Sequence, residues 1–139
     1  LNKRRVKQAK VQSMLEQRFC ELWHELAPDL PLQPQFKDNR IRGIKRCLPY
    51  DFKVIDVPVL IEINGGTAGW QKSGHTTAVG IRRDYIKINR AQMLGYFIFV
   101  LSTTMVSPLH IKEIVQFTRN LFYSKTNPRS YCHGKTAQQ

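Results

Sequence analysis

Acidic residues are scarce: 10 Asp and Glu stand against 22 Lys and Arg, a formal net charge of +12 over 139 residues. So unbalanced a chain suits a polyanionic partner, and nucleic acid is the commonest. The plainer readings are a basic tail on a neutral protein or a ribosomal-type structural protein. Cysteine is scarce too. Cys20, Cys47 and Cys132 are odd in number, share no spacing and include no CxxC, which leaves neither a disulfide framework nor a zinc signature. Buried or incidental thiols in a reducing compartment are expected, with Cys132-His133 only a weak metal hint. Nowhere does the sequence hold the roughly 20 apolar residues of a membrane helix, or a signal-peptide pattern. A soluble, cytoplasmic protein without membrane contact is therefore expected. No internal repeat is visible. The chain begins with Leu1, so it reads as a trimmed chain or a piece of something longer.

What is present suits one compact domain over 1–139, with a basic arm at 1–10 and a loosely ordered basic tail at 125–139. The basic residues are dispersed: Lys3-Arg4-Arg5, Arg40 to Arg46, Arg82-Arg83, Lys125 and Arg129. That distribution fits a duplex lying across a surface better than a single charged tail. The first places to expect contacts with double-stranded DNA are Arg40, Arg42, Lys45 and Arg46, with Lys72 and His75 in the loop Thr67–Val79. Arg82, Arg83 and Arg90 are weaker candidates.

Apolar residues at Val11, Leu15, Phe19, Leu22 and Leu26 predict an amphipathic helix closed by Pro28, its stripe widened by Met14 and Trp23. Three prolines between Asp29 and Pro34 predict an extended loop, with a first strand beginning at Gln35–Lys37 and a basic turn over Asn39–Gly43. Two apolar runs follow, Leu48–Ile55 and Val59–Ile63, joined by Asp56-Val57-Pro58 as a tight turn. Thr67–Val79 is too polar and glycine-rich for a regular element. Ile81–Leu94 predicts a second helix with Ile81, Tyr85 and Ile88 on one face, ended by Gly95. Tyr96–Leu101 reads as a buried strand, and Ser107-Pro108 opens a third helix to about Tyr123. The order α-β-β-β-α-β plus a C-terminal helix predicts an α/β (mixed α+β) fold, a central mixed four-stranded sheet flanked by helices.

The hairpin carries the chemistry. With its turn centred between Asp56 and Val57, Asp51 falls directly opposite Glu62, Cβ atoms roughly 5 Å apart on one face. Two carboxylates so close repel unless something cationic sits between them. Glu62 is also the only charge in Val-Leu-Ile-Glu-Ile, where an unpaired carboxylate is costly. A divalent metal resolves both problems and points to a metal-dependent hydrolase. The plainer reading is a polar hairpin with Glu62 paired to an Arg such as Arg46. Asn64 shares the strand face of Glu62 by the two-residue period and has an amide oxygen to offer a metal or a water. Lys87 is either a solvated helix residue or a catalytic cation. His75 has a DNA contact and proton transfer as competing roles. Glu16 is either a structural or outer support or a direct metal ligand, Asp84 complements the helix dipole, and Asp56 belongs to the turn.

In their order, Tyr50-Asp51-Phe52, Glu62-Ile63-Asn64-Gly65-Gly66, Gly74-His75, Gly80, Asp84, Lys87, Asn89, Ala91 and Gly95-Tyr96 resemble small phage and bacterial endonucleases. The group is the PD-(D/E)XK, or restriction-endonuclease-like, superfamily. Met14-Leu15-Glu16 is similar to its first helix, so the resemblance runs from Leu15 to Val106. It implies a restriction-endonuclease-like core, a bacterial or phage source, and Mg2+ (Mn2+ able to substitute) bound by Asp51 and Glu62. Glu16 matches an acid that sometimes supports that metal. The family's lysine position, two after the Glu, is Asn64 here. In relatives with this departure the positive charge often comes from the next helix, where Lys87 matches, and His75 assists from the loop. The implied activity is phosphodiester hydrolysis in double-stranded DNA by a symmetric homodimer or higher oligomer. A site-specific enzyme of the phage or homing kind ranks above a junction resolvase or repair nicking enzyme, and a non-catalytic nucleic-acid-binding module is the rival class.

Overall fold

A computed structural model describes residues 13–41, 49–65 and 78–126. The elements are α1 (Met14–Leu26), β1 (Leu32–Phe36), β2 (Tyr50–Val54), β3 (Val59–Asn64), α2 (Ala78–Met93), β4 (Phe97–Ser102) and α3 (Pro108–Thr126). A single 3-10 turn, Thr103–Met105, joins β4 to α3. The strands make one sheet in the order β1-β2-β3-β4. β1, β2 and β3 form an antiparallel meander, and β4 returns parallel to β3 after the helical crossover. The described residues thus form a mixed α+β structure, a four-stranded mixed sheet with three helices. None of those helices is long and apolar enough to cross a membrane.

The sheet is covered on both faces by different helices. Phe19 and Trp23 of α1 and Ile111, Ile114 and Val115 of α3 pack with Phe52, Val54, Val59, Ile61 and Leu101 in the larger core. On the other face a smaller core joins Tyr50, Leu60, Ile41 and Ala91 of α2. Trp23 is tied down by its indole N–H, which donates to the Leu30 carbonyl at 2.8 Å. α1 starts later than Val11. Ser13 is its N-cap, with the Ser13 Oγ accepting from the Glu16 N–H at 3.2 Å, the Ser-x-x-Glu signature of a helix start. Met14 then projects into solvent, 87 % exposed, and does not widen the stripe.

Three further boundaries differ from expectation. Pro34 lies inside β1, paired with Phe52, because β1 is an edge strand where the missing N–H is harmless. α2 begins at Ala78, so Gly80 lies within it. α3 runs to Thr126, past Tyr123 and into the expected tail. Gly95 does end α2: it takes φ +86°, its N–H bonds to the Gln92 carbonyl, and the Tyr96 N–H reaches back to Ala91, the paired bonds of a Schellman end. Asp56 takes φ +64° in the β2–β3 turn, a conformation Asp tolerates better than most residues.

Candidate active site

The β2–β3 register pairs Phe52 with Ile61 and Lys53 with Leu60, the register of a turn centred between Asp56 and Val57. One step further Asp51 and Glu62 meet, and their side chains take over the ladder. The Asp51 N–H donates to Glu62 Oε2 at 3.2 Å, and the Ile63 N–H donates to Asp51 Oδ2 at 2.8 Å. Each acid thus accepts a backbone donor of the opposite strand, which holds both carboxylates side by side. β2 also leaves strict alternation here. Tyr50 packs on the α2 face whereas Phe52 packs on the α1 face. Across on β1, the ladder pairs Pro34 with Phe52 and Phe36 with Tyr50 but skips Gln35, which takes φ +49°. That conformation costs a non-glycine residue about 1 kcal/mol, and such strain tends to collect at functional sites.

Lys87 completes the group from α2. Its Nζ donates to Glu62 Oε1 in a salt bridge. The residue is 8 % exposed, so it is not a solvated helix residue. α2 turns Lys87 and Ala91 to the sheet, while Ile81 and Tyr85 stay exposed. The helix therefore buries a different face from the one its apolar spacing predicts, because the strand face beneath it carries Glu62 and the Tyr50 ring. The Lys87 ammonium lies 4.6 Å from the centre of that ring, and the Tyr50 hydroxyl donates to the Lys87 carbonyl at 2.7 Å. Burial pushes the Glu62 carboxyl above its ordinary pKa; the Lys87 charge opposes this and the Asp51 charge adds to it. Among the described residues Lys87 is the cation on Glu62, and Arg46 lies outside them. Lys87 answers part of the repulsion from which a metal was inferred, with one ammonium against two carboxylates.

Beside this trio opens a cavity of about 440 Å³, lined by Glu62, Asn64, Lys87 and Asp84 on its polar side and by Ile81, Tyr85, Ile88 and Val100 elsewhere. Asn64 ends β3 and shares the cavity with Glu62, as the strand period requires. Asp84 does not open α2: the first turn holds no acid, and Asp84 faces the cavity one turn on. Glu16 is buried in the first turn of α1. That turn abuts the end of β3, since a Cβ on Gly65 would come within 3.2 Å of Leu15 Cδ2. A larger cavity of about 780 Å³, along β4 and α3, contains none of the candidate residues.

Of the expected DNA contacts, Arg82 and Arg83 are exposed on α2 and Arg90 is half-buried there. Arg40 is exposed but grips Asp38 with Nε and Nη2 at 3.0 and 2.6 Å. The Tyr96 hydroxyl donates to the same carboxylate at 2.9 Å. That lock, and the double contact of Tyr50 with Lys87, carry no signature in the sequence. Arg42, Lys45, Arg46, Lys72 and His75 lie outside the described residues, as do the arm at 1–10, the tail beyond Thr126 and most of the loop Thr67–Val79.

Among the described residues no three His, Cys, Asp or Glu side chains converge as a metal cluster. Mg2+ asks for less than that, one or two carboxylates with waters completing its shell. Two adjacent carboxylates, with Asn64 beside Glu62 on the cavity, would suit such a hard cation. No protein-family model, curated protein or solved structure matches this chain.

Proposed function

We propose that the chain is a small Mg2+-dependent DNA endonuclease with a restriction-endonuclease-like core, hydrolysing phosphodiester bonds of double-stranded DNA at a specific site. The observation that carries this reading is Lys87 reaching from α2 to Glu62 beside Asp51. The cation missing two residues after Glu62, where Asn64 stands, is thereby supplied by the following helix. The element order and the parallel return of β4 onto β3 support the fold assignment.

Asp51 and Glu62 would hold the metal, with the Asn64 amide oxygen available to it or to a water. When bound, that cation polarises phosphoryl oxygens and activates water for attack. Lys87 provides a fixed charge where negative charge grows during cleavage, and fixed charge in a dry site acts more strongly than in water. Ile88 and Val100 line the cavity at the same place with apolar side chains. The net charge of +12 supports duplex binding through phosphates. Arg82 and Arg83 project from the helix that carries Lys87. Cutting both strands needs two such sites, hence a symmetric homodimer, in the cytoplasm where duplex DNA is met.

Duplex cleavage by Asp51→Asn and Lys87→Met, measured beside the native chain with duplex binding in parallel, tests the assignment. Cleavage should fall at least about a hundredfold in each variant while binding stays within a few-fold. A native chain that binds duplex but never cuts would point to a non-catalytic binding module.

A further inference from the structure

Tyr50 is wholly buried, and two of its contacts reach one residue 37 positions away: its hydroxyl donates to the Lys87 carbonyl at 2.7 Å and its ring faces the Lys87 ammonium at 4.6 Å. A lysine side chain is a flexible four-carbon stem and has no single resting place on a helix surface. Here the root of that stem is pinned through the backbone and its head through the ring, and Glu62 receives the ammonium between them. A residue that only filled space would need neither contact. We infer that Tyr50 is the positioning residue for Lys87, holding the ammonium at Glu62 before substrate arrives. The inference rests on the nuclease reading and deepens it. It also gives the break in β2 a role: Tyr50 joins the α2 face while Phe52 keeps the α1 face.

The test compares Tyr50→Phe, which keeps the ring, with Tyr50→Leu, which keeps neither contact. Single-turnover cleavage of a duplex in Mg2+ should fall about a hundredfold in Tyr50→Leu and about tenfold in Tyr50→Phe, the scale of a misplaced catalytic group. The duplex dissociation constant should stay within about twofold, because positioning alters the chemical step and not the phosphate contacts. Native cleavage rates in both variants, or rates that fall only in step with the folded fraction, would overturn the proposal. A urea-unfolding cycle of Tyr50→Leu, Lys87→Met and the double variant needs no cleavage at all. The effect of Tyr50→Leu on the unfolding equilibrium constant should shrink at least about fivefold in the Lys87→Met background. Additive effects would show that the two residues are not coupled and would overturn the proposal. If the native chain does not cleave DNA, the nuclease reading fails, and the unfolding cycle still decides whether Tyr50 holds Lys87.

Discussion

Replacing Lys87 by Met keeps the length of the side chain and removes its charge, so Glu62 and Asp51 remain adjacent without the ammonium between α2 and β3. Removing one partner of a buried ion pair costs about 3–5 kcal/mol, mostly because the other charge stays behind. The Lys87 and Glu62 side chains are 10 % and 21 % exposed, so water screens part of that cost. Loss of the ammonium over the Tyr50 ring adds about 1 kcal/mol, and burying the apolar Met chain returns about as much. The net expectation is a loss of about 2–3 kcal/mol at pH 7 in the presence of a chelator, roughly 6–12 °C in Tm for a domain of this size. The deficit also has a pH signature. Burial and Asp51 raise the Glu62 carboxyl in the folded state, and a raised carboxyl destabilises the fold as the pH climbs through its folded pKa. Without Lys87 that penalty grows, so the gap between variant and native should be widest at neutral pH. It should narrow as the pH falls through the raised folded range of Glu62 and close near the unfolded glutamate pKa of about 4.3. Urea unfolding followed by circular dichroism from pH 4 to 8 measures both quantities. A loss under about 0.5 kcal/mol at pH 7, the scale of an ordinary surface change, would refute the reasoning. So would a gap that does not narrow in acid.

Two smaller predictions concern the frame around the site. The Arg40 guanidinium, helped by the Arg40 N–H and the Tyr96 hydroxyl, holds the Asp38 carboxyl below the usual carboxylate range. A depressed carboxyl contributes stability above its unfolded pKa of about 3.9 and loses it as the pH falls further. Asp38→Asn should therefore cost about 1 kcal/mol at every pH above about 5 and progressively less in acid; thermal unfolding curves with a pH-independent gap would contradict this. Gly95→Ala should cost about 1 kcal/mol, since φ is +86° and no atom lies within 4 Å of the added Cβ. An unchanged urea midpoint would show that the chain end of α2 has another conformation.

The hairpin and the crossover are written locally, which is why they can be read from the chain. Two short apolar runs around Asp56-Val57-Pro58 determine the register, and the register places Asp51 against Glu62. Lys87 is written differently. The spacing of Ile81, Tyr85 and Ile88 points to one face of α2, while the face that packs on the sheet holds Lys87 and Ala91. The reason is tertiary: the strands beneath offer a carboxylate and an aromatic ring, and a helix pattern cannot record what it will rest on. Pro34 misleads in the same way, because only the finished sheet makes β1 an edge where proline is tolerated. Tyr50 and the Asp38–Arg40–Tyr96 lock join residues 37 and 58 positions apart, and no short motif encodes such a pairing. The Ser13 cap, by contrast, is a local signal, present in Ser13-x-x-Glu16 and overshadowed by the apolar spacing that begins at Val11.

The most direct measurement is digestion of a duplex plasmid by the native chain and by Glu62→Gln, each with Mg2+ and with a chelator. Cutting by the native chain that requires Mg2+ and disappears in Glu62→Gln is the predicted result, and discrete fragments would mark a specific site. Cutting that persists in Glu62→Gln, or that ignores the chelator, would contradict an active site built on Asp51, Glu62 and Lys87.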